Sequence, residues 1–217
     1  PERGEVPPDE FMLVANETGL IVPLGRQILN QACAQVHRWQ MEYATARDLF
    51  IAINLSAREF QQPDAVETLT RTITQHGLQP TQVRLEVDEA VIAADPSSAF
   101  DKLYRLRQHG IQLAIDDFGT GYSSLSYLTR VTFDVLKIAR GFISGPGGIT
   151  NNLSIVRAVT SLAHALGMAV TAEGIETREH LTRVRAAGCD YGQGFLFSEP
   201  LEPNDVEAML FAADNDE

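Results

Sequence analysis

Apolar residues recur along this chain at two spacings. Over about Leu24 to Tyr43, the positions Ile28, Leu29, Ala32, Val36 and Trp39 fall on one face of a helix, and Ile155 to Leu166 repeats the pattern before Gly167. Val66 to His76 ends at Gly77, and a helix opened by Asp95-Pro96 runs to His109 and stops at Gly110. Further helices are predicted from the Pro7-Pro8-Asp9-Glu10 start, around Ser124 to Leu128, between Thr177 and Gly188, and over Asp205 to Ala212. Between them stand short apolar, β-branched runs: Phe50 to Ser56, Val83 to Glu89, Ile111 to Ile115, Phe133 to Arg140, Met168 to Ala172 and Tyr191 to Phe197. Gly141 to Thr150 reads as a glycine-rich loop.

Strand and helix thus alternate six times with almost no hairpin signal, which predicts parallel strands joined by right-handed crossovers. Polar residues gather at the C-terminal ends of the strands: Asn54, Glu86 and Glu89, Asp116 and Asp117, Lys137, Glu173 and Glu176, and Gln193. A doubly wound sheet builds its site at a switch point from fewer strands. Polar residues at six strand ends favour a (β/α) barrel, whose C-terminal rim carries the site.

The sharpest chemistry lies at Asp116-Asp117. Adjacent carboxylates raise each other's pKa unless a positive charge relieves them, and hard divalent cations take carboxylate oxygens. Gly119 and Gly121 let the backbone turn sharply beside such a site. Glu86 and Lys137, each within an apolar strand, need partners of opposite charge. The net charge of −12 argues against broad binding of nucleic acid, but a phosphate ligand held through metal remains compatible with it. Cys33 and Cys189 lack companions at metal-ligand spacing and read as buried thiols in a reducing compartment. No apolar run approaches the about 20 residues of a membrane span, and no secretory leader is visible, so a cytoplasmic location is expected.

Asn54-Leu55-Ser56, Glu86-Val87-Asp88-Glu89, Asp116-Asp117-Phe118-Gly119-Thr120-Gly121-Tyr122-Ser123-Ser124-Leu125, Leu136-Lys137-Ile138, Ala172-Glu173-Gly174-Ile175-Glu176-Thr177 and Gln193-Gly194-Phe195 stand in one order and spacing. In that arrangement the chain resembles EAL domains, bacterial cyclic di-GMP phosphodiesterases named for a Glu-Ala-Leu signature. The resemblance implies a TIM-like (β/α) barrel over residues 1–212, with an acidic tail at 213–217. It also implies two rim cations, Mg²⁺ or Mn²⁺, and in-line attack of water that opens the cyclic dinucleotide. By the same resemblance Asn54, Glu86, Asp116 and Glu173 are metal ligands, and Asp117 holds the second ion. Lys137, Glu173 and Asp117 carry the chemistry, with Lys137 on the attacking water or the phosphate. Gln193 and Ser56 lie near substrate, and Asp88, Glu89 and Glu176 support the site or its loops. A homodimer and attached sensor or cyclase domains are the partners expected.

Three departures accompany the resemblance. No Glu-Ala-Leu occurs, and Pro1 to Gly4 resembles the segment that follows it, so the chain is expected to begin after the signature and to lack the first two barrel strands and one ligand. The family's Lys-Ile-Asp is Lys137-Ile138-Ala139, and Asp88 stands where Thr is usual. Three readings stay open: a cyclic di-GMP hydrolase, a degenerate non-catalytic receptor or dimerisation module, and a barrel hydrolase for another phosphate ester.

Overall fold

The computed structural model describes residues 6–119, 128–145 and 148–211. The expected Ser124 to Leu128 helix (except Leu128), Thr120 to Leu125 of the aspartate motif, the Pro1 to Gly4 segment and the tail at 213–217 lie outside them.

Six strands pair in parallel and in chain order: β1 (Ile51–Leu55), β2 (Val83–Asp88), β3 (Gln112–Phe118), β4 (Val135–Ile138), β5 (Ala169–Ala172) and β6 (Tyr191–Gly192). The helices are α1 (Pro8–Thr18), α2 (Ile21–Glu42), α3 (Ala57–Gln61), α4 (Ala65–Gln75), α5 (Glu89–Ala94), α6 (Pro96–Gln108), α7 (Arg140–Ile143), α8 (Gly148–Ala165), α9 (Arg178–Ala186) and α10 (Pro203–Leu210). Among the described residues β1 and β6 are the outer strands of this curled sheet; the exposed Phe50 precedes β1 and the exposed Tyr191 opens β6.

Strand alternation divides the sheet into two faces. Leu85 and Val87, Leu113 and Ile115, Leu136 and Ile138, and Val170 and Ala172 are buried where α2, α5, α6 and α8 pack. Burial of each such large aliphatic side chain contributes about 1.5–3 kcal/mol. The intervening positions carry Asn54, Arg84, Glu86, Gln112, Asp116, Lys137 and Thr171, so one face is apolar and the other is built for chemistry.

Capping explains where several boundaries differ from the expected ones. β2 stops at Asp88 because the Asp88 carboxylate accepts from the Ala90 N–H at 2.7 Å, which makes Glu89 the first residue of α5. Ser56 opens the unexpected α3 through a capping box with Glu59. The expected loop from Gly141 to Thr150 instead holds α7 and the start of α8, because Ile143 and Ile149 are buried. The last strand was expected to run to Phe197. It covers only Tyr191–Gly192, because the chain turns there to exchange hydrogen bonds with Ala172 and Ile175. Cys33 is wholly buried, and burial pushes its thiol up to about 11; Cys189 is only half-buried.

Candidate active site

Lys137 is the centre of the polar face. It projects from β4 with 3% of its surface exposed, and its Nζ lies 2.5 Å from Glu86 Oε2, 2.7 Å from Glu173 Oε1 and 3.2 Å from Asp116 Oδ1. Burial opposes its charge, but the hydrogen bonds to Glu173 and Glu86 and the charges of Glu86 and Asp116 outweigh burial and hold the ammonium above its ordinary pKa.

An irregularity in β3 brings the two aspartates to this lysine. Ile115 pairs with Leu136 and Phe118 with Ile138, so three steps along β3 match two along β4. Asp117 absorbs the extra residue at φ 52°, a left-handed conformation that costs a non-glycine residue about 1–2 kcal/mol. A bulge of this kind re-aims side chains beside a site. The Asp117 N–H donates to Asp116 Oδ1 at 2.9 Å.

Carboxylate oxygens of Asp116, Asp117 and Glu173 all lie within 4.8 Å of one another. Burial raises the pKa of Asp117, and Asp116 and Asp88 add to the rise while Lys137 opposes it. Glu173 is raised as well, first by burial, against its hydrogen bond to Lys137. The Asn54 amide, oriented to donate, sits 3.2 Å from Glu86 Oε2 and 3.0 Å from Asp116 Oδ2. Turned over, it would present an oxygen to two more oxygens. The oxygens of Asp116, Asp117 and Glu173 form a donor set that suits a hard divalent cation, which on binding displaces the protons that Asp117 and Glu173 retain.

The other expected residues stand around this cluster. Glu89 is buried and accepts from the Gly119 N–H at 3.3 Å, at the exit of β3. Asp88 and Ser56 line a cavity of about 700 Å³ beside β1 together with Asn54, Glu86 and Asp116, while their side chains cap helices. Glu176 meets Arg140 at 3.2 Å, and Gln193 joins both, with Glu173 and Phe195, around a cavity of about 180 Å³. Arg140, which by sequence ends the strand after Lys137-Ile138-Ala139, instead opens α7.

A family model described as "EAL domain" matches residues 1–200. The chain belongs to the EAL domain family. It is 39% identical over 213 residues to the bifunctional diguanylate cyclase/cyclic di-GMP phosphodiesterase MucR of Pseudomonas aeruginosa, which covers 97% of this chain and 30% of MucR. The solved PaMucR phosphodiesterase in complex with c-di-GMP superposes with a TM-score of 0.89 at 35% identity, over 95% of this chain and 83% of that one. Klebsiella pneumoniae BlrP1, in a calcium/cy-diGMP complex, gives a TM-score of 0.77 at 33% identity over 91% of this chain and 48% of its own. The chain spans about a third or less of the curated relatives it matches. Ala139, buried ahead of α7, provides no carboxylate at the rim.

Proposed function

We propose that this EAL domain hydrolyses one phosphodiester of cyclic di-GMP, giving the linear dinucleotide. The observation that carries the reading is the buried lysine held by Glu86, Asp116 and Glu173, with Asp117 close by. The named activity of MucR and the dinucleotide complex of its domain support the substrate.

Asn54, Glu86, Asp116, Asp117 and Glu173 would hold Mg²⁺ or Mn²⁺, and the manganese/cy-diGMP complex of BlrP1 accords with this. Bound divalent ions supply a more acidic water and Lewis-acid stabilisation of charge on the phosphoryl oxygens. The protein's own groups do the rest. Lys137 keeps its charge throughout, orders three carboxylates and offers a cation to the negative phosphoryl group. Glu173 and Asp117, at the edge of the lysine cluster, are placed to take the proton released when the water–phosphorus bond forms. The bond from phosphorus to the ribose oxygen breaks, and the proton taken from the water is returned to that oxygen. Gln193 and Ser56 flank the cluster as substrate contacts; Asp88, Glu89 and Glu176 support it.

Ala139 favours one competing reading, a receptor that binds the dinucleotide without cleaving it. Incubation with Mn²⁺ and chromatography of the nucleotide decides: turnover that vanishes in Asp116→Asn supports hydrolysis, whereas tight binding without product supports the receptor. The reading implies a cytoplasmic domain over residues 1–212 of a longer signalling protein, homodimeric and attached to sensor or cyclase domains.

A further inference from the structure

We infer that Phe142 is a positioning residue for the carboxylate cluster, and that α7 is the platform on which the turns after Asp117 and Glu173 both rest. The inference rests on the proposed metal-dependent reading of that cluster. Asp117 and Glu173 come from β3 and the end of β5, with β4 between them, yet their oxygens lie within 4.8 Å of each other. Mg²⁺ in particular demands near-ideal geometry from its ligands, so such a spacing has to be held. Each carboxylate is followed within two residues by a glycine at positive φ, Gly119 at +96° and Gly174 at +70°. Both glycines press on α7, which opens three residues after Lys137.

A Cβ on Gly119 would stand 2.9 Å from Phe142 Cε2 and 3.0 Å from Cζ, so a side chain there would push the ring aside. A Cβ on Gly174 would stand 2.5 Å from Arg140 Cγ, on the same helix. The ring thus takes the place of the missing side chain and supports the backbone directly. Its own position is fixed. Ile143 beside it is wholly buried, and the Phe142 carbonyl accepts from Asn152 Nδ2 on α8 at 3.4 Å. The contact closes the β3 bulge at its far end. Pairing with β4 holds at Ile115 and Leu136, skips, and resumes at Phe118 and Ile138. Gly119 on Phe142 is the next hold beyond the resumed pair. Asp116 and Asp117 lie inside this bracket. Without the ring the extra residue can move along β3, and a slip of one residue would exchange the faces to which the two aspartates point. Phe142 also packs against the core, but a core role alone predicts lost stability with metal affinity intact.

Calorimetric titration with Mn²⁺, in the absence of nucleotide, tests this. Phe142→Leu keeps an apolar side chain but removes the ring edge, and it should weaken Mn²⁺ binding about tenfold. Gly119→Ala disturbs the contact from the other side and should also weaken binding about tenfold. In the Phe142→Leu background the alanine should cost less than in the parent, because the ring it strikes is gone. Ile143→Val trims the same helix on its buried side; it should lower the melting temperature and leave Mn²⁺ binding unchanged. Thermal melts establish that each variant is folded, and Phe142→Met, closer in volume, stands in if the leucine variant is not. Unchanged Mn²⁺ affinity in Phe142→Leu or Gly119→Ala would overturn the proposal and leave the hydrolase reading in place. So would an equal loss in Ile143→Val, or strictly additive losses in the double variant. If the parent binds no Mn²⁺, the metal-dependent reading itself falls and this one with it.

Discussion

Lys137 and Glu86 meet at 2.5 Å with both side chains more than nine-tenths buried, although β3 runs between their strands. Ala114 stands opposite Glu86 on that intervening strand, and its small side chain leaves the lysine room to cross. Breaking a buried ion pair leaves a charge without a partner, which costs about 3–5 kcal/mol. Lys137→Met should therefore destabilise the metal-free protein by about that amount in urea unfolding, and Mn²⁺ should recover part of the loss. A variant as stable as the parent without metal would show that the carboxylates do not depend on the lysine.

Asp117 and Glu173 hold their protons above the ordinary carboxylate range. A group whose pKa is raised by folding costs stability as the pH climbs from its unfolded value through its folded one, and a cation must displace the same protons. The Mn²⁺-induced gain in melting temperature should be smaller at about pH 5 than at about pH 7.5, with net proton release on binding. Thermal melts and calorimetry in two buffers measure both, and a gain independent of pH would count against these ligands.

Ala139 precedes α7, which has no side-chain cap. An aspartate suits that position as an N-cap and would also bring a carboxylate to the rim. Ala139→Asp is expected to raise the Mn²⁺-dependent rate of ring opening with little change in melting temperature. A lower rate in a folded variant would show that the alanine serves the site as it stands.

The six-unit parallel plan and the rim cluster were legible because strand periodicity, crossover length and carboxylates at strand ends are local signals. Asn54, Glu86, Asp116, Asp117, Lys137 and Glu173 do converge. Other features depend on tertiary partners. Nothing in Asp116-Asp117 announces the bulge, which exists only relative to the register of β4. The strand from Tyr191 was expected to reach Phe197 on its apolar content, but hydrogen bonds to Ile175 turn it after two residues. Ser56 is expected near substrate, and here its hydroxyl is engaged with Glu59 as the cap of α3. Arg140 becomes visible only when α7 lies beneath Gly174.

Gly174→Ala tests that contact. The new methyl would meet Arg140 Cγ at 2.5 Å and Ser144 Oγ at 2.9 Å, in a backbone conformation that disfavours alanine. The turn bearing Glu173 should shift, lowering turnover at least about tenfold, because small displacements of a catalytic group are costly. Destabilisation should stay near about 1–2 kcal/mol. Unchanged kinetics would separate Glu173 from its turn.

Two equivalent clasps hold the opposite end of the sheet. Asp134 accepts from the Leu113 N–H at 2.8 Å and pairs with Arg107, whereas Asp190 accepts from the Val170 N–H at 2.7 Å and pairs with His164. Burial opposes ionisation of Asp190, but its hydrogen bonds from His164 and Val170 hold its pKa below the ordinary value. Its contribution is present above the ordinary aspartate range and is lost as the pH falls through the depressed value. Asp190→Asn should lower the melting temperature at neutral pH and narrow the gap to the parent on acidification. A gap that stays constant with pH would sink this account.

The strand order has a consequence for how the protein is born. Among the described strands each pairs with the one made just before it, and none must be inserted between two earlier ones. A chain emerging from the ribosome, which folds from its N-terminal side, therefore has the edge that each of β2 to β6 needs already laid down. Charge does not keep pace with geometry. A nascent chain that has emerged only as far as β3 carries Glu86 and Asp116 with no lysine between them, and only the arrival of β4 brings Lys137 to neutralise the pair.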